Sequence, residues 1–139
     1  VDGQTIGAAK AGLMILFGVK EGDTDAEARF LAEKTVNLRI FSDEEGKMNR
    51  SLLDIGGDAL VVSQFTLYAD CRKGRRPSFI GAMRPPEAER LYLEYARLLH
   101  EMGVSRVETG SFGADMQVTL LNDGPVTILL DTDEIMKKG

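Results

Sequence analysis

The chain has 139 residues, 43% of them hydrophobic and 28% charged, with a formal charge of −5. That balance fits one folded domain over 1–139 and excludes a disordered, fibrous or broadly nucleic-acid-coating protein. Cys71 is the single cysteine, which rules out an intrachain disulfide framework and a multi-cysteine metal centre. The apolar stretches fall short of a membrane span and no basic n-region precedes them, so cytoplasm is the expected location, with no membrane partner.

Val1-Asp2-Gly3 reads as a turn, the second half of a β-hairpin whose first strand lies outside this numbering. Residues 11–19, AGLMILFGV, predict a buried strand. Asp23, Thr24 and Asp25 supply caps for a helix ending near Val36 or Asn37, with its apolar stripe at Ala28, Leu31, Ala32 and Thr35. LRIF (38–41) predicts a short strand, SDEEGKMNRS (42–51) a polar hairpin or excursion, and SLLDIGG (51–57) a short element running into a Gly-Gly turn. ALVVSQFTLYA (59–69) is the strongest strand signal in the chain. Pro85 and Pro86 stand at the first turn of a second helix, whose stripe is Leu91, Tyr95, Leu98, Leu99 and Met102 and whose stop is Gly103. VSRVETG, MQVTLLN and VTILLD predict three more strands, and DTDEIMKKG a frayed tail. The order implies an α+β class, a mixed or antiparallel, barrel-like sheet covered by two helices.

Conventional catalytic chemistry is sparse. His100, the sole histidine, falls near the C-terminal end of the second helix, where a cation or hydrogen-bond donor interacts favourably with the helix dipole. No His-Cys-Asp cluster, P-loop or dinucleotide fingerprint occurs, so the sequence implies no metal and no cofactor. The carboxylates run in surface-type groups such as DEE at 43–45. An enzyme built this way must rely on oriented backbone groups, hydroxyls or its own substrate. Ser63 and Thr66 in VVSQFTLYAD are the best hydroxyls; strand alternation sets them on opposite faces unless a bulge or the strand end intervenes. Phe112 lies between Gly110 and Gly113, in an irregular segment able to approach a ligand. CRKGRRPSF concentrates Arg72, Lys73, Arg75 and Arg76 in five positions, either a solvated loop or a phosphate-contacting patch on an acidic body. In LLNDGPVTI, Asn122-Asp123-Gly124 suits a turn, and Pro125, which cannot donate to a strand ladder, marks a break.

SQFTL (63–67) and NDGPVT (122–127), together with MNRSLLD, YADCRKGRRPSF and TGSFGADM, resemble the D-aminoacyl-tRNA deacylase family of bacteria and eukaryotes over nearly the whole chain. The resemblance implies that fold, with a further N-terminal strand before the VDG turn that typically carries a basic residue near the substrate site. It implies hydrolysis of the ester in D-aminoacyl-tRNA, and of glycyl-tRNA mischarged on tRNA-Ala, with L-aminoacyl substrates rejected. Ser63, Gln64, Phe65 and Thr66 form the implied catalytic set. Leu67, Phe79, Met116, Gly124 and Pro125 are implied to bind substrate, and Arg72, Lys73, Arg75 and Arg76 to bind tRNA. The implied state is a homodimer with active sites at the subunit interface, each entered by a cis Gly124-Pro125 peptide from the partner. Thr66 is a candidate nucleophile; water activated through the terminal ribose 2′-OH is the preferred account, since no histidine neighbours Thr66 in sequence. Two other classes fit the residues alone: a non-catalytic RNA-binding or scaffold protein, and an editing module that sorts by size.

Overall fold

A computed structural model describes residues 1–137. The chain opens on the expected turn: Asp2 (φ 51°) and Gly3 (φ 77°) take successive positive φ values, and Gln4 N–H donates to Val1 O at 2.9 Å. Asp-Gly pairs suit such turns because glycine adopts positive φ without a Cβ clash. The elements that follow are β1 (Gly12–Phe17), α1 (Asp25–Asn37), β2 (Phe41–Ser42), β3 (Met48–Arg50), α2 (Leu52–Ile55), β4 (Asp58–Ser63), a 3₁₀ turn (Phe65–Tyr68), α3 (Glu87–Glu101), β5 (Val107–Thr109) and α4 (Thr132–Ile135).

Strands β1, β4 and β5 lie side by side in that order, all parallel, with Phe17 opposite Ser63 and Val61 opposite Thr109. Parallel neighbours need long crossovers; α1 lies within the first and α3 forms the second, and the two helices pack on each other. β2 and β3 make a separate antiparallel hairpin. Thr24 starts α1 with a capping box, its hydroxyl accepting from Ala26 N–H while Glu27 reaches back to the Thr24 N–H.

Ala59 and Val61 of β4 are fully buried, against Leu91, Tyr92, Tyr95, Leu98 and Leu99 of α3 and Ala28, Ala32 and Val36 of α1. Two tyrosines bring hydroxyls into this core, and both find partners, as buried polar groups must. Tyr92 donates to Val61 O at 3.0 Å. Tyr95 shares a 2.8 Å hydrogen bond with Thr35, and its ring stacks on Phe17 at 4.3 Å between centroids.

The α+β class and both main helices are as the sequence predicts, and the sheets are mixed in the sense of one parallel and one antiparallel unit. The barrel does not close among the described residues. LRIF contributes only Phe41 to a strand, and the strand predicted over 59–69 ends at Ser63. Both neighbours have run out there: β5 stops opposite Val61, and β1 stops opposite Ser63. Gln64 N–H still reaches Phe17 O at 2.9 Å, after which the chain coils into 3₁₀ geometry through Leu67 N–H to Gln64 O and Ala69 N–H to Thr66 O. MQVTLLN and VTILLD form no strands. Their alternation is real, but a ladder needs a hydrogen-bonded neighbour, and neither has one among the described residues. The tail is ordered where fraying is predicted: Asp131 caps α4, Thr132 is buried, and Asp133 pairs with Lys20. Lys138 and Gly139 lie outside the described residues.

Candidate active site at the end of the parallel sheet

Side chains beyond the C-terminal ends of parallel strands point at open space, which is why ligands in such sheets gather there. Ser63 is the last residue of β4 and is half-buried. Gln64 leads into the 3₁₀ turn, where Phe65, Thr66 and Leu67 are exposed, Phe65 by 56%. The two hydroxyls are therefore not split across a sheet: the turn removes the alternation that separates them. Thr66 Oγ1 accepts a hydrogen bond from the Gln64 side-chain amide.

The fold brings further predicted residues to this turn. Phe79 meets Phe65 edge-on, 5.1 Å between centroids at 75°, a favourable arrangement of ring quadrupoles. Between them the chain loops out through 71–77, and Asp70 and Ser78 close its neck with paired backbone hydrogen bonds of 2.7 and 2.8 Å. Arg72, Lys73, Arg75 and Arg76 are all exposed on this loop. Arg72 differs from the rest. Its guanidinium grips Asp70 through two hydrogen bonds of 2.9 and 2.8 Å, and those bonds hold the Asp70 carboxyl down to about 2. Lys73, Arg75 and Arg76 form no salt bridge among the described residues.

Met116 packs on the segment after β5. Its sulfur accepts from Ser111 N–H at 3.4 Å and lies so close to Gly110 that a Cβ there would meet it at 2.6 Å, with Val62 Cγ1 at 3.9 Å. Phe112 turns instead toward Tyr92, 6.0 Å between ring centroids. Gly124 and Pro125 fall in a loop of their own. Their peptide is cis, Gly124 has φ 131°, and both are exposed. The loop is clamped within itself: Asn122 Oδ1 accepts from Val126 N–H at 2.9 Å and its amide donates to Thr127 at 3.2 Å. His100 is remote from the turn in role, its Nδ1 engaged with Val104 O at the end of α3. No group of three His, Cys, Asp or Glu side chains suited to a metal occurs among the described residues.

The sequence pattern defining the family D-Tyr-tRNA(Tyr) deacylase matches residues 1–131. The chain belongs to that family. It is 64% identical over 132 residues to the D-aminoacyl-tRNA deacylase of Roseiflexus castenholzii, covering 95% of this chain and 83% of that one. Against the D-aminoacyl-tRNA deacylase of Thermus aquaticus it is 56% identical over 134 residues, covering 96% and 88%. Its structure resembles the c-Myc DNA Unwinding Element Binding Protein with a TM-score of 0.88 at 40% identity, over 94% of this chain and 89% of that chain.

Two residues lie beneath the turn. Tyr68 ends the turn half-buried, and burial, reinforced by the charges of Asp23, Asp131 and Asp133, pushes its phenol up to about 12. Gly18, directly after β1, lies against Gln64, Leu67 and Tyr68. Neither residue is singled out by the sequence reading. The signal present was the FGV break at the strand end, which a single sequence does not separate from an ordinary strand stop.

Proposed function

We propose that this chain hydrolyses the ester joining a D-amino acid, or glycine, to the 3′-terminal adenosine of tRNA and spares L-aminoacyl-tRNA. The observation that carries the reading is the family match over 1–131, with its SQFTL segment standing as an exposed turn at the sheet end beside Phe79. Water attacks the ester carbonyl, the bond to the ribose 3′-oxygen breaks, that oxygen takes a proton, and the amino acid leaves as its carboxylate. Ser63, Gln64, Phe65 and Thr66 hold the ester. Leu67, Phe79 and Met116 line the surrounding pocket, and Lys73, Arg75 and Arg76, with Arg72 anchoring the loop, meet tRNA phosphates.

The partner of Thr66 Oγ1 among the described residues is an amide, and an amide is no base at neutral pH. A threonine without a base is a weak nucleophile. That favours water, activated through the ribose 2′-OH, over a covalent threonine intermediate.

Chirality is read by the Gly124-Pro125 loop of a second subunit, whose backbone collides with an L side chain while asking nothing of a D side chain. Support for a second copy comes from the same region: Leu120 (53%), Leu121 (90%) and Leu129 (80%) are exposed around the loop, and apolar surface of this kind marks an interface. Size measurement at micromolar concentration should return twice the chain mass of 15.2 kDa; a fully active monomer refutes the shared site. The activity itself is tested with one tRNA charged with matched D- and L-amino acids. Release from the D ester alone is expected, and equal rates on both refute the assignment.

A further inference from the structure

We propose that Gly18 is a positioning residue for the reaction, the bare floor on which the SQFTL turn is seated; this rests on the reading of that turn as the active site. The observation is steric. A Cβ built on Gly18 would sit 3.2 Å from Gln64 O, 3.2 Å from Leu67 Cβ and 3.2 Å from Tyr68 Cε2, one contact from each of three residues of the segment. Two of these atoms, a carbonyl oxygen and a Cβ, move only with the backbone. A methyl group there requires its surroundings to give by a few tenths of an ångström.

Which side gives is decided by what holds each. The neighbours of Gly18 along the chain are fixed: Phe17 and Val19 are buried at 7% and 8% exposure, Phe17 stacks on Tyr95 in the core, and Val19 O accepts from Met83 N–H at 2.9 Å. The turn opposite is a single 3₁₀ coil whose Phe65 and Leu67 face solvent. Close-packed interiors transmit strain rather than absorb it, so the added methyl lifts the turn off the sheet and carries Gln64 and Thr66 with it. Gly18 has no positive φ, so alanine is compatible with its backbone and the effect of substitution is the contact itself. Glycine here is therefore a requirement of approach distance, and it lies outside the motif it serves.

The experiment compares Gly18→Ala with Gly81→Ala. Gly81 has nothing within 4 Å of its Cβ position and no positive φ, so it controls for the general effect of exchanging glycine for alanine on the unfolded chain. G18A should keep a cooperative melt and a KM for D-aminoacyl-tRNA within about twofold of the parent, while its single-turnover rate falls by about fivefold to tenfold, as expected for a sub-ångström displacement of reacting groups; G81A should keep both. An unchanged single-turnover rate in G18A overturns the proposal. So does a rate that falls only in proportion to the unfolded fraction, since that is a packing role. A crystal structure of G18A gives a readout independent of activity: residues 64–68 should be displaced relative to β1, and their unchanged position overturns the proposal even if the parent protein proves inactive on D-aminoacyl-tRNA, which would separately refute the deacylase reading.

Discussion

Removing one hydroxyl, Thr66→Ala, separates the two chemistries open to this site. The substitution deletes the acceptor of the Gln64 amide hydrogen bond and little else. The turn keeps its own backbone bonds, Leu67 N–H to Gln64 O at 3.3 Å and Ala69 N–H to Thr66 O at 3.1 Å, and alanine suits a 3₁₀ coil. The freed amide is near solvent, so the cost to stability is below about 1 kcal/mol. If the threonine only helps to orient the ester, losing one exposed hydrogen bond of about 1 kcal/mol slows the reaction by roughly fivefold. If the hydroxyl attacks the ester, its loss costs at least about 10³-fold, or about 4 kcal/mol of transition-state stabilisation. The expected outcome is the smaller figure. It is measured as the single-turnover rate on D-aminoacyl-tRNA at saturating enzyme, beside a substrate ending in 2′-deoxyadenosine, which should be the one that fails. A 10³-fold loss in a T66A protein with an unaltered melt, a trapped acyl adduct on Thr66, or rapid hydrolysis of the 2′-deoxy substrate refutes the reasoning.

Neutralising Lys73, Arg75 and Arg76 together should raise KM for aminoacyl-tRNA and lower the slope of log KM against log salt by about 2, each lost phosphate contact removing about 0.7 to 0.9, with the bound-state rate nearly unchanged; an unaltered salt slope assigns the loop to solubility. Arg72→Ala should act differently, loosening the loop neck through Asp70, and should be reproduced by Asp70→Asn rather than by loss of another loop cation. Tyr95→Phe should destabilise the fold by about 1 kcal/mol through loss of the buried bond to Thr35, read from denaturant midpoints. Burial pushes the Tyr95 phenol up to about 12 against an ordinary 10.0, so its contribution to stability is whole below pH 10 and declines as the pH rises through 12; the mutant should lose less stability over that interval, and identical alkaline profiles in the two proteins refute the assignment.

What was legible in the sequence divides along a physical line. Helix α1 was readable because its information is local: Thr24 caps it, Glu27 completes the box, and Ala28, Ala32 and Thr35 recur on the face that is buried. α3 was readable for the same reason. The strand bearing Ser63 was readable as a strand but not in its end point, because a strand stops where its neighbours stop, and those neighbours are β1 and β5, distant in sequence. The same dependence explains MQVTLLN and VTILLD, whose alternation satisfies one face of a sheet but names no partner. The contact of Phe65 with Phe79 is likewise invisible in sequence, since it depends on the Asp70 to Ser78 closure that returns the chain across the basic loop.

These failures share a cause with the arrangement of the SQFTL turn. A continuous strand through 59–69 would hold Ser63 and Thr66 on opposite faces, since successive side chains alternate. Ending the strand at Ser63 releases the backbone, and the tight 3₁₀ coil puts the Gln64 amide against the Thr66 hydroxyl. The coil needs a surface to lie on, and the chain supplies it by ending β1 at Phe17, two residues short of the predicted run over 11–19, with Gly18 in the first position beyond. The motif and its floor are thus set by two strands that stop together, Phe17 opposite Ser63. A change that carried the strand pairing on through Thr66 would restore the alternation and put Ser63 and Thr66 on opposite faces, even with every residue of SQFTL in place.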